Sequence, residues 1–350
     1  MDDLYILYNT NGRTFTKKLA CFDLDHTLIQ PKSKKVYPID ENDWEFKDNV
    51  INTLTFLHDN DWTIIVLSNQ KQGGKRMLSI EQLYNKFATI EEKLKIPIIV
   101  MAALKNDFYR KPFIGMWNKM KSLVHGYTKA FYCGDAYENK RFVDIYFAKN
   151  IGIPFMTPES VFVPNRNDFK IVNFSFDYKI PINFISDTQY EKEQKQIMKY
   201  TKNLEFIFII SPPASGKSYF CKTYLPDYVP MSKDDYGTKT KYLMEIKKLI
   251  GNEKKIVFDN TNHTQKSRNE ILNILPKSAR IGYIFRDVNK DVSLYLNQYR
   301  YFDTNLDNNL DSSILLPEVA IHTYYKYLEL PETYLKISHG IQSLKRRFYC

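Results

Sequence analysis

Cysteine is scarce in this chain of 350 residues: there are four, Cys21, Cys133, Cys221 and Cys350, and none has the close spacing of a metal knuckle or a disulfide ladder. At least the first three sit in apolar context, which suits a reducing compartment. No apolar run approaches the roughly 18 residues that a membrane span requires. The opening Met1-Asp2-Asp3 lacks the basic stretch that begins an export signal, so a soluble, intracellular protein, nuclear or cytoplasmic, is expected. Internal repeats and low-complexity tracts are missing too. Solenoids and fibrous arrays are thereby excluded, and the two halves of the chain differ in kind.

What is present can build cores. Hydrophobic residues make up 43% of the chain, including 26 Tyr and 23 Phe. The length is large for one compact domain, so two are expected. Fifty Lys and Arg against forty Asp and Glu give a formal charge of +10, an excess that suits a polyanionic partner, nucleic acid above all. The local clusters Lys32 to Lys35, Lys71 to Arg76, Lys140-Arg141 and Lys345 to Arg347 are candidate nucleic-acid footprints, although each taken alone is more often a solvated surface.

Short apolar runs recur, each ending in polar residues and separated by amphipathic stretches: Leu19 to Phe22, Thr63 to Leu67, Pro97 to Ala102, Ala130 to Cys133, Glu205 to Ile210, Lys255 to Phe258 and Arg280 to Phe285. This alternation predicts an α/β protein with parallel sheets, whose ligands bind beyond the carboxyl ends of the strands. Between residues 157 and 203 the pattern loosens, then gives way to a charged run over 189–202 that reads as a helix. A domain boundary is expected within 160–200.

The first strand ends in "FDLDHTL", with Asp23 and Asp25 one residue apart and leaning the same way. Like charges so close need an offset, which a divalent cation or a covalent reaction would supply; a pair of helix-capping carboxylates is the plainer alternative. Further polar punctuation follows in chain order at later strand ends: Ser68-Asn69-Gln70, Lys111 in "YRKP", and Gly134-Asp135-Ala136 with Asp144 nine residues beyond Asp135. In the second half, "FIFIISPPASGKSYF" is a strand, a turn and a helix, the setting of a phosphate-binding loop. Gly216-Lys217-Ser218 matches its ending, while Ser211 stands where its first glycine belongs.

"FDLDHTL", "LSNQ", "YRKP" and "CGDA" resemble the four motifs of the haloacid dehalogenase phosphatase superfamily. That resemblance implies Asp23 as the nucleophile toward phosphorus, Asp25 as general acid and base, and Ser68 and Lys111 as holders of the phosphoryl oxygens. It implies a Mg²⁺ ion held by Asp23, Asp135 and the backbone carbonyl of Asp25, with Thr27, Asn69 and Asp144 completing the site and Glu138 a rival for Asp144. About forty residues separate Thr27 from Ser68, too few for a large cap. A site left so open suits a polymer end.

The second half resembles the kinase domain of the polynucleotide kinase 3'-phosphatase family, in which such a loop, an "(R/K)D" segment and a "DNTN" strand end recur together. The resemblance implies that Ser215, Gly216, Lys217 and Ser218 grip ATP, with Ser218 on Mg²⁺. It makes Asp234 the base for a 5'-hydroxyl and groups Asp259, Asn260, Asn262 and Arg268 with the kinase site. Arg300 is the expected lid arginine, with Arg286 the alternative. The sequence departs from the family where Ser211 and Ala214 flank Pro212 and Pro213 in place of a glycine-rich loop, which puts the turn at Ser211 in question. It departs again at Gly237, where phage relatives carry a phosphate-contacting arginine.

The implied organisation is two Rossmann-like parallel-sheet domains. They are a phosphatase over 1–160, a linker and connecting helix over 161–202, and a P-loop kinase over 203–350. Phosphatase before kinase is the order of the DNA-repair type. The expected substrates are DNA ends bearing 3'-phosphate and 5'-hydroxyl groups, with RNA ends as an alternative, and a DNA ligase is the expected successor. A monomer without a forkhead-associated module before residue 18 is expected. Abundant Lys, Asn, Ile and Tyr suit an AT-rich genome such as that of a large virus. A metabolite phosphatase fused to a metabolite kinase, and a binding scaffold with a decayed loop, are the other readings.

Overall fold

A computed structural model describes residues 5–9, 14–36, 38–70, 78–124, 126–138, 141–175, 185–306 and 315–338. The basic clusters at 71–76 and 345–347, and Lys140, lie outside the described residues. The chain divides into two compact units, residues 1–178 and 179–347.

In the first unit the strands are β1 (Tyr5–Tyr8), β2 (Lys18–Phe22), β3 (Ile29–Gln30), β4 (Glu45–Phe46), β5 (Trp62–Asn69), β6 (Ile98–Ala103), β7 (Lys129–Cys133) and β8 (Phe155–Met156). Six of them form one sheet in the order β1-β6-β5-β2-β7-β8, while β3 and β4 pair as a separate small hairpin. The helices are α1 (Val50–Asp59), α2 (Ile80–Leu94), α3 (Gly115–Leu123), α4 (Val143–Ile151) and the short α5 (Pro158–Val161).

Period-two alternation explains the layering, because successive strand residues face opposite sides. Ala20, Phe22, Ile64, Val66, Ile98 and Val100 share one core with Leu54 and Leu57 of α1 and Phe87 and Ile90 of α2. Leu19, Cys21, Ile65, Leu67, Ile99 and Met101 share the other with Met116 and Trp117 of α3 and Ile145 and Phe147 of α4. Both faces are covered, so these strands read as continuous apolar runs.

The strands of the βα units pair in parallel as expected, and the sheet of the first unit adds one antiparallel edge. β1 runs antiparallel to β6 and closes that edge of the sheet, using residues that precede the first βα unit. Between Leu28 and α1 the described secondary structure is the β3–β4 hairpin alone. Its connecting segment is tied down by Asp43, whose carboxylate accepts from Ser33 N (2.8 Å), Ser33 Oγ (2.6 Å) and Ile39 N (2.8 Å).

The second unit repeats the layering with different residues. α6 (Asp187–Thr201) precedes β9 (Phe206–Ile210), α7 (Lys217–Tyr224), β10 (Val229–Met231), α8 (Lys239–Gly251), β11 (Ile256–Phe258), α9 (Gln265–Leu272), β12 (Ile281–Asp287), α10 (Lys290–Leu306), α11 (Glu318–Lys326) and β13 (Leu335–Ser338). The strand order is β10-β11-β9-β12-β13, parallel throughout. Ile207 and Ile209 pack with Phe220 and Cys221 of α7, whereas Phe206 and Phe208 pack with Tyr242 and Ile246 of α8 and Ile271 of α9.

In each sheet the winding reverses beside a central strand, β2 in one and β9 in the other. A crevice at the carboxyl end of that strand follows from this topology. Among the described residues no helix is long and apolar enough to cross a membrane.

Candidate active sites

Loops from four parallel strands converge at the carboxyl end of the first sheet. Asp23 follows β2 directly, and its N–H donates to Cys133 O (2.9 Å), extending the β2–β7 pairing by one residue. Ser68 is the penultimate residue of β5. Its neighbour Asn69 clamps Lys111 by the backbone, accepting from Lys111 N at 2.9 Å and donating to Lys111 O at 3.1 Å. The ammonium so placed donates to Asp23 Oδ1 (2.7 Å), Asp144 Oδ1 (2.8 Å) and Tyr132 Oη (2.6 Å). Tyr132 Oη donates in turn to Asp144 Oδ1 at 2.9 Å.

Asp144 enters from the first turn of α4, where its second oxygen accepts from Ala136 N (3.0 Å). It packs so closely on Gly134 that a Cβ there would collide with its carboxylate. Of the two candidates for the last acid, Asp144 is buried in the cluster and Glu138 is exposed.

One oxygen from each of Asp23, Asp135 and Asp144 lies within 4.8 Å of the others. The side chain of Asp25 is not in this trio and engages Gln70 and Lys86 instead. Thr27 is fully buried beside the cluster, and its hydroxyl has no hydrogen-bond partner among the described residues.

Burial pushes the Asp23 carboxyl up to about 8; Lys111 works against that shift and the like charge of Asp144 adds to it. Burial and Asp144 raise Asp135 as well. Burial pulls Lys111 down, but Asp144 and Asp23 outweigh it and hold its ammonium above the ordinary lysine range. Three carboxylates against one buried ammonium leave a net negative site of hard oxygen donors. Such a set fits a divalent cation of the magnesium or manganese kind.

Three participants are not apparent from the motifs. Tyr132 is an ordinary strand aromatic by sequence, and Gln70 falls within "LSNQ" without a distinguishing neighbour. Lys86 does leave a sequence signal, a lysine in the apolar stripe of an amphipathic helix.

In the second unit β9 runs into residues 211–216, which turn into α7. The expected strain at Ser211 is not where the turn falls. Left-handed backbone occurs at Ala214 (φ 57°) and Gly216 (φ 76°), so the non-glycine residue that carries the strain is Ala214. Ser211 is buried instead and shares a 2.7 Å hydrogen bond with Ser215 Oγ.

Side chains brace the loop from outside. Ser293 Oγ donates to Pro213 O (2.7 Å), and Arg286 donates to Ser215 O (2.9 Å) while its guanidinium lies 4.8 Å from the Phe220 ring. Lys217 Nζ folds back onto Pro212 O (2.9 Å). Burial pulls Lys217 down to about 8, partly opposed by Asp259. Burial raises the Asp259 carboxyl, opposed by the Ser218 hydroxyl and Lys217 beside it. One Asp259 oxygen is buried without a hydrogen-bond partner among the described residues, so Ser218 and Asp259 also make a fitting pair of cation donors.

The remaining residues expected at a kinase site separate into solvent-facing and structural groups. Asp234 is exposed on a single 3-10 turn, Lys233–Asp235, and its charge acts on Lys217. Asn260 pins that turn by accepting from Lys233 N (2.9 Å), and also donates to Tyr242 Oη (2.8 Å).

Asn262 is buried and donates to the carbonyls of Ile209 and Phe258, both at 2.9 Å. Arg268 is buried and donates to Asn262 O (2.9 Å) and Glu329 O (2.7 Å). These two side chains hold the "DNTN" segment in place, Asn262 by way of the last strand residues before the loop. Arg300 is exposed on α10, whereas Arg286 is enclosed beneath the loop, a poor place for a lid arginine. Gly237 has φ 66°, a backbone conformation that an arginine would adopt only under strain.

Gly134→Ala should drive Asp144 off Lys111 and Tyr132. Hydrolysis of a 3'-phosphorylated oligonucleotide is expected to fall about a hundredfold. ATP-dependent labelling of a 5'-hydroxyl oligonucleotide by the same preparation should be unchanged.

Comparison with known proteins agrees with this geometry. The family model for polynucleotide kinase 3 phosphatase matches residues 18–162. The bifunctional polynucleotide phosphatase/kinase of Schizosaccharomyces pombe is 29% identical over 326 residues, covering 90% of this chain and 77% of the relative. A protein of Acanthamoeba polyphaga mimivirus assigned to the same bifunctional class is 31% identical over 366 residues, covering 90% of this chain and 82% of the relative. The polynucleotide 3'-phosphatase of Saccharomyces cerevisiae is 27% identical, over 40% of this chain and 85% of its own. With both the phosphatase model and the two-activity relatives matched, the chain belongs to the bifunctional polynucleotide phosphatase/kinase family.

Proposed function

We propose that this protein heals nucleic-acid ends, hydrolysing 3'-phosphates in its first unit and transferring the γ-phosphate of ATP to 5'-hydroxyls in its second. DNA is the substrate and a DNA ligase acts next. The observation that carries the reading is that each unit gathers phosphate-directed side chains at the carboxyl end of its central strand, carboxylates with a lysine after β2 and a lysine-bearing loop after β9.

In the phosphatase, an Asp23 oxygen attacks phosphorus while Lys111 and Ser68 hold the phosphoryl oxygens, and Asp25 delivers a proton to the departing 3'-oxygen. Water then attacks phosphorus, Asp25 takes its proton, and Asp23 is released. Asp23, Asp135 and Asp144 would hold Mg²⁺, together with the Asp25 carbonyl. The ion supplies positive charge that keeps the buried carboxylates ionised and neutralises the phosphoryl group.

In the kinase, the amides of 215–218 and the Lys217 ammonium receive the triphosphate, Ser218 and Asp259 would hold the cation that accompanies ATP, and Asp234 accepts the 5'-hydroxyl proton. Arg300 is the candidate for contact with the transferred phosphoryl group. The solvent-facing position of Asp234 suits a base that must meet a polymer end.

A nicked duplex bearing 3'-phosphate and 5'-hydroxyl, incubated with ATP, Mg²⁺ and a ligase, should be sealed; an RNA duplex beside it compares the two substrates. Faster turnover of free nucleotides than of oligonucleotides would overturn the assignment. Asp23→Asn should abolish phosphatase activity and spare the kinase, and Lys217→Ala should do the reverse. Loss of both activities from either change would contradict two separate centres.

The charge on Lys217 gives a pH signature. Its ammonium binds the triphosphate, and with its affinity for a proton lowered to about 8 in the free loop, the charged form dominates below that pH and is lost above it. KM for ATP should therefore be flat up to about pH 7.5 and climb toward tenfold per pH unit above about 8. Kinase assays from pH 7 to 9.5 test this.

A further inference from the structure

The inner face of α2 carries Leu83, Phe87, Ile90 and Leu94 at three- and four-residue spacing, packed into the core of the first unit. Lys86 stands in the same stripe and is 2% exposed. An ammonium in that register requires a partner, because burial strips its water. It has one: Lys86 Nζ lies 3.3 Å from Asp25 Oδ1.

The other Asp25 oxygen accepts from Gln70 Nε2 at 2.5 Å. The same amide donates to Ser68 Oγ at 2.9 Å, and Gln70 is itself fixed by its N–H on Ala103 O (2.8 Å). Both oxygens of one carboxylate are thus gripped, one from α2 and one from the end of β5.

We propose that Lys86 and Gln70 are positioning residues for Asp25, fixing the proton-transferring carboxylate and giving it a countercharge during the half of the cycle when it has no proton. The proposal rests on the phosphatase reading of the first unit. In the first displacement the bond from Asp23 to phosphorus forms, the bond from phosphorus to the 3'-oxygen breaks, and the Asp25 proton passes to that oxygen. In the second, a water oxygen bonds to phosphorus, its proton passes to Asp25, and the bond from Asp23 to phosphorus breaks. Between these steps Asp25 bears a negative charge beside phosphorylated Asp23, and Lys86 is the buried cation facing it. Gln70 couples the orientation of Asp25 to Ser68, which touches the same phosphoryl group.

The test separates positioning from general support of the fold through the leaving group. A 3'-hydroxyl departs poorly without a proton, whereas p-nitrophenolate departs readily without one. Lys86→Met matches the size of the buried side chain and removes its charge. The variant is expected to hydrolyse a 3'-phosphorylated oligonucleotide about a hundredfold more slowly. With p-nitrophenyl phosphate the first turnover should stay close to wild type and then slow, because activation of water still needs Asp25, giving a burst of p-nitrophenolate absent from wild type.

Gln70→Met should show the same pattern with a smaller loss, and it decides the matter alone if Lys86→Met does not fold. Kinase activity of each preparation verifies intact protein. Equal losses on both substrates without a burst, or wild-type turnover of the oligonucleotide, would overturn the positioning role. If the wild-type protein turns over p-nitrophenyl phosphate but releases nothing from the oligonucleotide, the end-healing reading fails instead, and the burst still decides the role of Lys86 and Gln70.

Discussion

The first unit depends on one buried ammonium. Lys111 is 4% exposed and lies within hydrogen-bond distance of two carboxylates and a phenol that would otherwise face one another unshielded. Removing one member of so enclosed a cluster leaves an uncompensated charge, which is far more disruptive than loss of an exposed pair. The cluster explains features around it: the Asn69 clamp that aims Lys111, the glycine at 134 that lets Asp144 approach, and the position of Asp135 one step outside. It also makes the trio a fitting place for a cation, since one lysine does not balance three acids.

The two units meet phosphate by opposite means. In the first, fixed side-chain charges at the carboxyl ends of the strands define the site, and the proposed reaction makes Asp23 itself a reacting group. In the second, the proposed holding falls to the loop backbone, and a backbone cradle must be shaped before it can bind. Glycine-rich loops achieve that shape through free dihedrals. Here two prolines restrict the loop, Ala214 accepts the left-handed conformation, and the hydroxyls of Ser211, Ser215 and Ser293 with the Arg286 guanidinium hold what remains. Rigidity from braces replaces permissiveness from glycine, and less ordering remains for the moment of ATP binding.

Much of this architecture is legible in the sequence. The seven apolar runs are all strands, because strands covered on both faces carry continuous hydrophobicity. The polar residues after those runs fall at the carboxyl ends, because topology places them there. The two-residue strands β3, β4 and β8 left no period to read, and the three residues of β10 are interrupted by Pro230, unlike the wholly apolar three of β11. β1 was missed because an antiparallel edge strand at the chain start carries no crossover signal. Motif spacing also names a loop without fixing which way its side chains point. Asn262 and Arg268 belong to a recurring string, yet Asn262 Nδ2 and Arg268 Nη1 donate to backbone carbonyls.

Lys86 shows the converse. No motif contains it, and by composition it is one of fifty cations. Only the register of α2 marks it, since a charged residue between Leu83 and Phe87 on a buried face needs a specific counterpart. The counterpart is the second aspartate of "FDLDHTL", some sixty residues away. A helix that by sequence merely covers the sheet therefore reaches Asp25 through one misplaced-looking lysine, and the amphipathic pattern that places the helix is the same pattern that exposes the exception.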